Sequence, residues 1–481
     1  MARPTIARWR TLVKRTILLA LALSSPLAAQ RPPLSAGTRV YVKVDTAVVA
    51  FTNVRVIDGT GAPAREGQVV VVRDGRVAAV GPATSTAVPA GAQVIDGAGK
   101  TVIPGLVMVH EHLYYPAGGG TYGNYTESFT RLYLAGGVTA MRTGGNMNGF
   151  SELNMAKAVN RGDKPGPWID ATAPYLNGPN NFSQMQVLRT PAEARRFVDF
   201  WIDQGATSFK AYMQISREVL KAGIDAAHAR GIKVTGHLCS VTYREAADLG
   251  IDNLEHGFLA ATDFVADKKP DECPNQGRGQ QTVNTTDPSS APGQALIAHL
   301  VAKKVALTST LTVFETFTPG RPMPPGIEVL APQFKETYER QHAQIARMPQ
   351  SIYTTLFPRA MAFELAFARA GGLLVAGTDP TGGGGVIPGY SNQRAVELLV
   401  EAGFSPTEAI RIGTLNGATY LGIADRTGSI AVGKQADLVL VNGNPAARIA
   451  DLRNVELVMK QGIGYDPAKL IASVKGWVGI W

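Results

Sequence analysis

Four of the chain's seven histidines stand where short apolar runs end. His110 and His112 close the run 102–112, His237 follows 233–236, and His256 follows 253–255. Neutral imidazole is a good ligand for borderline cations such as zinc. Along an extended chain alternate side chains share a face. His110 and His112 therefore point one way, into an interior, and Glu111 points the other way, toward covering helices. Lys210 lies in Ser208-Phe209-Lys210-Ala211-Tyr212, which sets Ser208, Lys210 and Tyr212 on one face. An inward lysine on an apolar strand is costly unless it is paired or modified. Addition of CO₂ to its amine makes an anion whose two oxygens can bridge two metal ions; the alternatives are a salt bridge or a side chain reaching to the rim. Asp379 follows the apolar run 373–377, and Pro380 stops the strand. Cations held by such a set ionise a water molecule near neutral pH, which is the chemistry of hydrolysis. His228, His299 and His342 fall in amphipathic stretches and read as helix-surface residues.

Each of these candidates needs the C-terminal end of a strand. Runs at 102–112, 137–142, 168–173, 208–212, 233–238, 253–258, 305–311 and 373–379 have strand character, and helical patterns such as 218–230 and 243–249 separate several of them. Eight strands with helical crossovers define an α/β fold, the (β/α)₈ TIM barrel, in which catalytic residues collect at the C-terminal strand ends. Short β-branched runs with Gly and Asn turns occur at 54–58, 68–72, 77–80 and 92–95, and again at 428–430, 436–441 and 455–460. They predict a small β-sandwich built jointly by the N- and C-terminal segments. The expected organisation is a signal peptide over 1–29, sandwich over 45–102, barrel over 103–420, sandwich again over 421–465 and a tail over 466–481. Two polar insertions, 268–292 and 381–385, are expected on the loop face that carries the site.

Composition narrows the function classes. The chain has 481 residues and 45% hydrophobic content, ample for a large core. Its formal charge is +9, but Arg3, Arg8, Arg10, Lys14 and Arg15 precede an apolar run at 17–23 and the small residues Leu27-Ala28-Ala29. That is the pattern of a secretory signal, and the run is too short to span a bilayer. Without those five charges the mature chain is near +4, and no basic stripe interleaves with aromatics, so nucleic acid is not an expected partner. The expected location is periplasmic or secreted, without stable membrane insertion after signal removal. No metal motif fits the spacing of Cys239 and Cys273, and they are read as two free thiols.

The run Ile103-Pro104-Gly105-Leu106 leading into His110-Glu111-His112, the later Lys210, His237, His256 and Asp379, and the stretch 428–441 together resemble the amidohydrolase superfamily over about residues 50–465. The likeness is to its exported imidazolonepropionase-like and prolidase-like branch, whose members hydrolyse dipeptides and acylated amino acids. This resemblance implies a first metal on His110, His112 and Asp379, a second on His237 and His256, and a carboxylated Lys210 between them. It gives Asp379 the role of proton acceptor and donor. Zinc is the expected metal, although the donor set also admits Mn, Co or Fe. Tyr212 is expected to touch the substrate carbonyl or carboxylate, and Arg142 and Arg244 are candidates for a substrate carboxylate. Deaminase-like members carry a Glu three residues after the fifth-strand His; Ser240 stands there and argues for amide or peptide bond cleavage instead. Pro380 and the glycine run that follow Asp379 depart from the branch. A lactone, carbamate or phosphoester is the alternative substrate class, and a non-catalytic binding protein the remote one. Barrels of this family often assemble into homo-oligomers, and the sequence leaves the oligomeric state open.

Overall fold

A computed structural model describes residues 33–180, 182–348 and 350–479. The expected signal segment lies outside them. Nine strands form one largely antiparallel sheet around the β-branched runs. From the N-terminal side come β1 (Val42–Val44), β2 (Val48–Val56), β3 (Arg65–Arg73), β4 (Arg76–Pro82), β5 (Gln93–Asp96) and β6 (Lys100–Pro104). Ten further strands intervene, β7 (Leu106–Glu111), β8 (Tyr114–Gly118), β9 (Thr121–Asn124), β10 (Val138–Thr143), β11 (Trp168–Asp170), β12 (Phe209–Ala211), β13 (Val234–Gly236), β14 (Asn253–Glu255), β15 (Ala306–Ser309) and β16 (Leu374–Ala376). Then β17 (Leu438–Asn442), β18 (Val455–Lys460) and β19 (Ile463–Tyr465) return to the sheet, whose order is β1-β19-β18-β17-β6-β2-β3-β4 with β5 beside β2. Both chain ends thus share one apolar layer, in which Phe51, Val70, Val102, Leu438, Leu440 and Met459 pack together.

The eight runs read as barrel strands are all strands and all parallel. They fall into the sets β11-β10-β7 and β12-β13-β14-β15-β16. Thr172 pairs with Ser208 across the first seam. At the other, the Thr378 and Asp379 N–H groups donate to the His110 carbonyl at 3.0 and 3.1 Å. Helices between successive strands supply the covering layer, among them Pro191–Asp203, Arg217–His228 and Ala291–Ala302, each entered through a Ser or Thr whose hydroxyl accepts from the first turn. Among the described residues no helix is long and apolar enough to cross a membrane.

Three expectations change. The run 102–112 is two strands, because β6 pairs with β17 in the terminal sheet while β7 pairs with β10 in the barrel. Gly105 joins them, and a Cβ there would lie 2.1 Å from the Thr139 hydroxyl. Residues 467–479 are packed and do not trail: Leu470, Val474 and Val478 are buried, and the Val478 carbonyl accepts from Ala331 N–H at 2.9 Å.

The third correction concerns the cysteines. Cys239 and Cys273 are not free thiols; they form a disulfide that fastens the 268–292 insertion beside the end of β13. Spacing could not reveal this, because the path of the insertion sets the pairing. The bridge closes a loop of 34 residues, so Cys273→Ser is expected to cost about 3–4 kcal/mol of unfolding free energy. Urea melts with and without reductant measure this; superimposable curves would show that the bridge contributes nothing.

Candidate metal centre

His110 lies at the end of β7, fully buried in a slot between two glycines. A Cβ on Gly144 would meet its ring at 2.3 Å, and one on Gly377 would meet its Cβ at 2.4 Å. Its Nδ1 lies 2.7 Å from Glu255 Oε2. A carboxylate can only accept, so Nδ1 carries the proton and Nε2 is left as a lone pair. That Nε2 faces Lys210 Nζ at 3.0 Å and Asp379 Oδ1 at 3.7 Å. His112 repeats the pattern: Nδ1 donates to the Gly145 carbonyl at 3.4 Å, and Nε2 lies 3.0 Å from Asp379 Oδ1. His256 bonds Thr310 Oγ through Nδ1 at 2.9 Å, and its Nε2 is buried without a protein partner. His237 joins through its ring, 4.4 Å from that of His256 and 4.9 Å from that of Tyr212.

His110, His256 and Asp379 each offer one ligand atom, all within 4.8 Å of one another. Ionisation states suit a cation. Burial pushes His112 down to about 4 and, with Lys210 nearby, His237 to about 3. Burial also lowers His256 well below its usual range. Neutral imidazoles are the form that binds metal. For Asp379, burial opposes ionisation, but His110, His112 and His256 outweigh it and hold its carboxyl well below the ordinary range. Burial brings the Lys210 amine down to about 8. The orphaned His256 nitrogen and this donor set fit divalent cations.

Beneath the ligands lies a support that sequence did not reveal. Glu255 accepts from Arg142 Nη1 at 3.0 Å as well as from His110. Arg142 also donates to Ser208 Oγ, Thr235 Oγ and the carbonyls of Val109 and Phe209. It is fully buried in the barrel floor, so it does not meet a substrate carboxylate as expected; five hydrogen bonds consume its guanidinium. Arg244 is also corrected: it is exposed on an outer helix and reaches the Ala295 carbonyl at 3.3 Å. Glu111 points outward as read, accepting from Thr378 and, at 2.9 Å, from Asn392. Ser240 is buried and donates to the Ile215 carbonyl, away from the ligands. His228 and His299 pair with Asp252 and Asp248 on the helical exterior.

Aromatic side chains enclose the loop side. Tyr114 stacks on His112 with ring centres 4.3 Å apart, and its hydroxyl lies 2.5 Å from that of Tyr175. Tyr212 stands 5.0 Å from Tyr175, ring to ring. Tyr212 therefore sits in the site, as read from its alternation with Lys210. Tyr114 and Tyr175 were missed; only the Tyr114-Tyr115 pair two residues past His112 hinted at them.

The described residues thus combine two sets of parallel strands with a buried His/Asp cluster suited to a divalent cation. Residues 336–463 match the amidohydrolase family. A candidate prolidase from Bifidobacterium longum superposes with a TM-score of 0.63 at 25% identity, covering 89% of this chain and 98% of that one. Phenylurea hydrolase B gives 0.65 at 24% identity, covering 88% and 98%. A 5'-deoxyadenosine deaminase of Methanobrevibacter smithii is 43% identical over 56 residues, 12% of this chain and 13% of its own length. The chain thus spans only a small part of the curated relatives it matches. Residues 336–463 thus resemble the amidohydrolase family, and the fold resembles that of a prolidase-like protein.

Proposed function

We propose that this protein is a metal-dependent amidohydrolase that cleaves an amide or peptide C–N bond. The observation that carries this reading is the orientation of the histidines: His110 and His112 tie Nδ1 away from the site and turn Nε2 toward Asp379, and His256 holds an unpartnered buried nitrogen beside them.

In this reading His110, His112 and Asp379 hold one cation, His237 and His256 a second, and Lys210 stands between. Zinc fits the imidazole-rich set. Lys210 is carboxylated: its neutral Nζ forms a bond to the carbon of CO₂ and releases one proton, leaving an anionic carbamate. When bound, the metal pair acidifies water and polarises a carbonyl. Asp379 accepts the proton of the attacking water and returns it to the leaving nitrogen. Thr381 Oγ, donating to Asp379 Oδ1 at 2.8 Å, keeps that carboxylate aimed. Glu255 holds the His110 tautomer, and Arg142 holds Glu255. Tyr212 and the Tyr114–Tyr175 pair exclude water and face the substrate. The Cys239–Cys273 bridge supports export to an oxidising compartment, periplasmic or extracellular.

The test is metal content on protein purified without chelator, beside an amide hydrolysis screen. Close to two ions per chain with amide turnover is expected, and Lys210→Ala should lose the second ion and turnover together. An unmodified Lys210 mass in an active two-metal enzyme would remove the bridging role. Chelator-resistant amide turnover would overturn the metal mechanism.

A further inference from the structure

A chamber of about 350 Å³ lies between segments that follow His112 and Asp379 and the helix Pro332–Ala346. The hairpin that follows His112 supplies Tyr115 and Tyr122, the segment after Asp379 supplies Gly382 and Gly383, and the helix Pro332–Ala346 supplies Phe334 and Tyr338. Thr121, Gln333, Thr337 and Gln341 add neutral polar groups, and among the described residues none that line it carries a charge. Aromatic rings join the chamber to the ligands: Tyr122 lies 5.2 Å from Tyr114, which stacks on His112, and 6.1 Å from Phe182, which lies 6.2 Å from Tyr212. The glycines bring the loop against the helix, since a Cβ on Gly385 would lie 2.2 Å from the Tyr338 ring. Tyr338 is 2% exposed, and its hydroxyl has no hydrogen-bond partner. A buried phenol without a partner costs free energy unless a ligand supplies an acceptor.

Prolidase-type substrates end in a free carboxylate, which needs a cation or several donors once it leaves water. The two arginines nominated for that task are elsewhere, one locked in the barrel floor and one on the outer helices. We propose that the chamber selects an uncharged, apolar or aromatic group, so the substrate is a neutral amide such as an anilide, aryl urea or blocked amino-acid amide and not a free dipeptide or N-acyl amino acid. Tyr338 donates to a neutral acceptor on that group. This rests on the amide-hydrolase reading for the bond cleaved, but the preference for a neutral occupant stands on the chamber alone.

The experiment compares N-benzoylglycine with N-benzoylglycine amide, which differ in one charge. Binding to the metal-loaded protein is followed by calorimetry, and turnover by benzoate release. The neutral probe is expected to bind about ten-fold tighter or better, since a desolvated carboxylate meets no cation among the lining residues, only neutral donors such as Gln333, Gln341 and Thr121. Thr337→Arg places a cation on the exposed rim of the chamber. It should shrink or reverse that ratio with the fold intact by circular dichroism. Tyr122→Ala should weaken the neutral probe by about ten-fold with metal content unchanged. Equal or tighter binding of the carboxylate, or a ratio that Thr337→Arg leaves unmoved, overturns the proposal. Preferential binding of the neutral probe without benzoate release, alongside hydrolysis of esters or lactones, supports the chamber assignment and sinks the amide reading.

Discussion

Asp379→Asn is expected to lower kcat by about 10³–10⁴-fold in metal-saturated protein, because the proposed mechanism then loses its acid–base group and a charged ligand together. The substitution keeps the volume of the side chain and can still accept from Thr381 Oγ, so the loop geometry survives. The carboxylate contacts His112 directly and lies within 3.7 Å of His110 and 3.6 Å of His256. Titrating the variant with metal to constant occupancy separates the two roles. If kcat then returns to within about ten-fold of wild type, Asp379 is a ligand and not the proton carrier.

The second large effect is predicted for Arg142→Met. The variant leaves buried Glu255 with His110 as its remaining hydrogen-bond partner and removes the donor to Ser208 Oγ, Thr235 Oγ and the carbonyls of Val109 and Phe209. Removing one partner of a buried ion pair costs about 3–5 kcal/mol. A displaced Glu255 no longer fixes the tautomer of His110, and loss of such a supporting carboxylate weakens metal binding by about 10–100-fold. Urea unfolding of the metal-free variant and competition with a chromogenic chelator read the two effects separately. A raised KM with stability and metal affinity unchanged would restore Arg142 to the substrate.

The contrast between these residues shows what the sequence carries. The period of two along a strand placed His110, His112, Lys210 and Tyr212 correctly, because all four lie on or within one residue of regular β7 and β12. It fails at β14. There Glu255 takes the inward position, and His256 follows with φ of +70°, which swings its ring back over the site. Asp379 has φ of +56° for the same reason, so its orientation is a property of the turn and not of β16. An inward arginine at 142 was visible, but its partner lies more than a hundred residues away, and only the closed packing of β7, β10 and β14 brings the two together. The eight-strand pattern was legible because each strand is a continuous apolar run between helical periods. The Gly105 break was not, since both halves of that run are equally apolar and differ only in the sheets they join.

The shared terminal sheet has a consequence for biosynthesis. β6 needs β17 on one flank, and Val102 meets Leu440 there, so synthesis delivers the partner strand only after the whole barrel has been translated. Until then the flank of β6 presents unpaired backbone amides and carbonyls, a template for another chain. A ribosome that stops before residue 438 therefore does not release a shorter enzyme; it releases a nearly complete barrel with one adhesive edge, prone to aggregation.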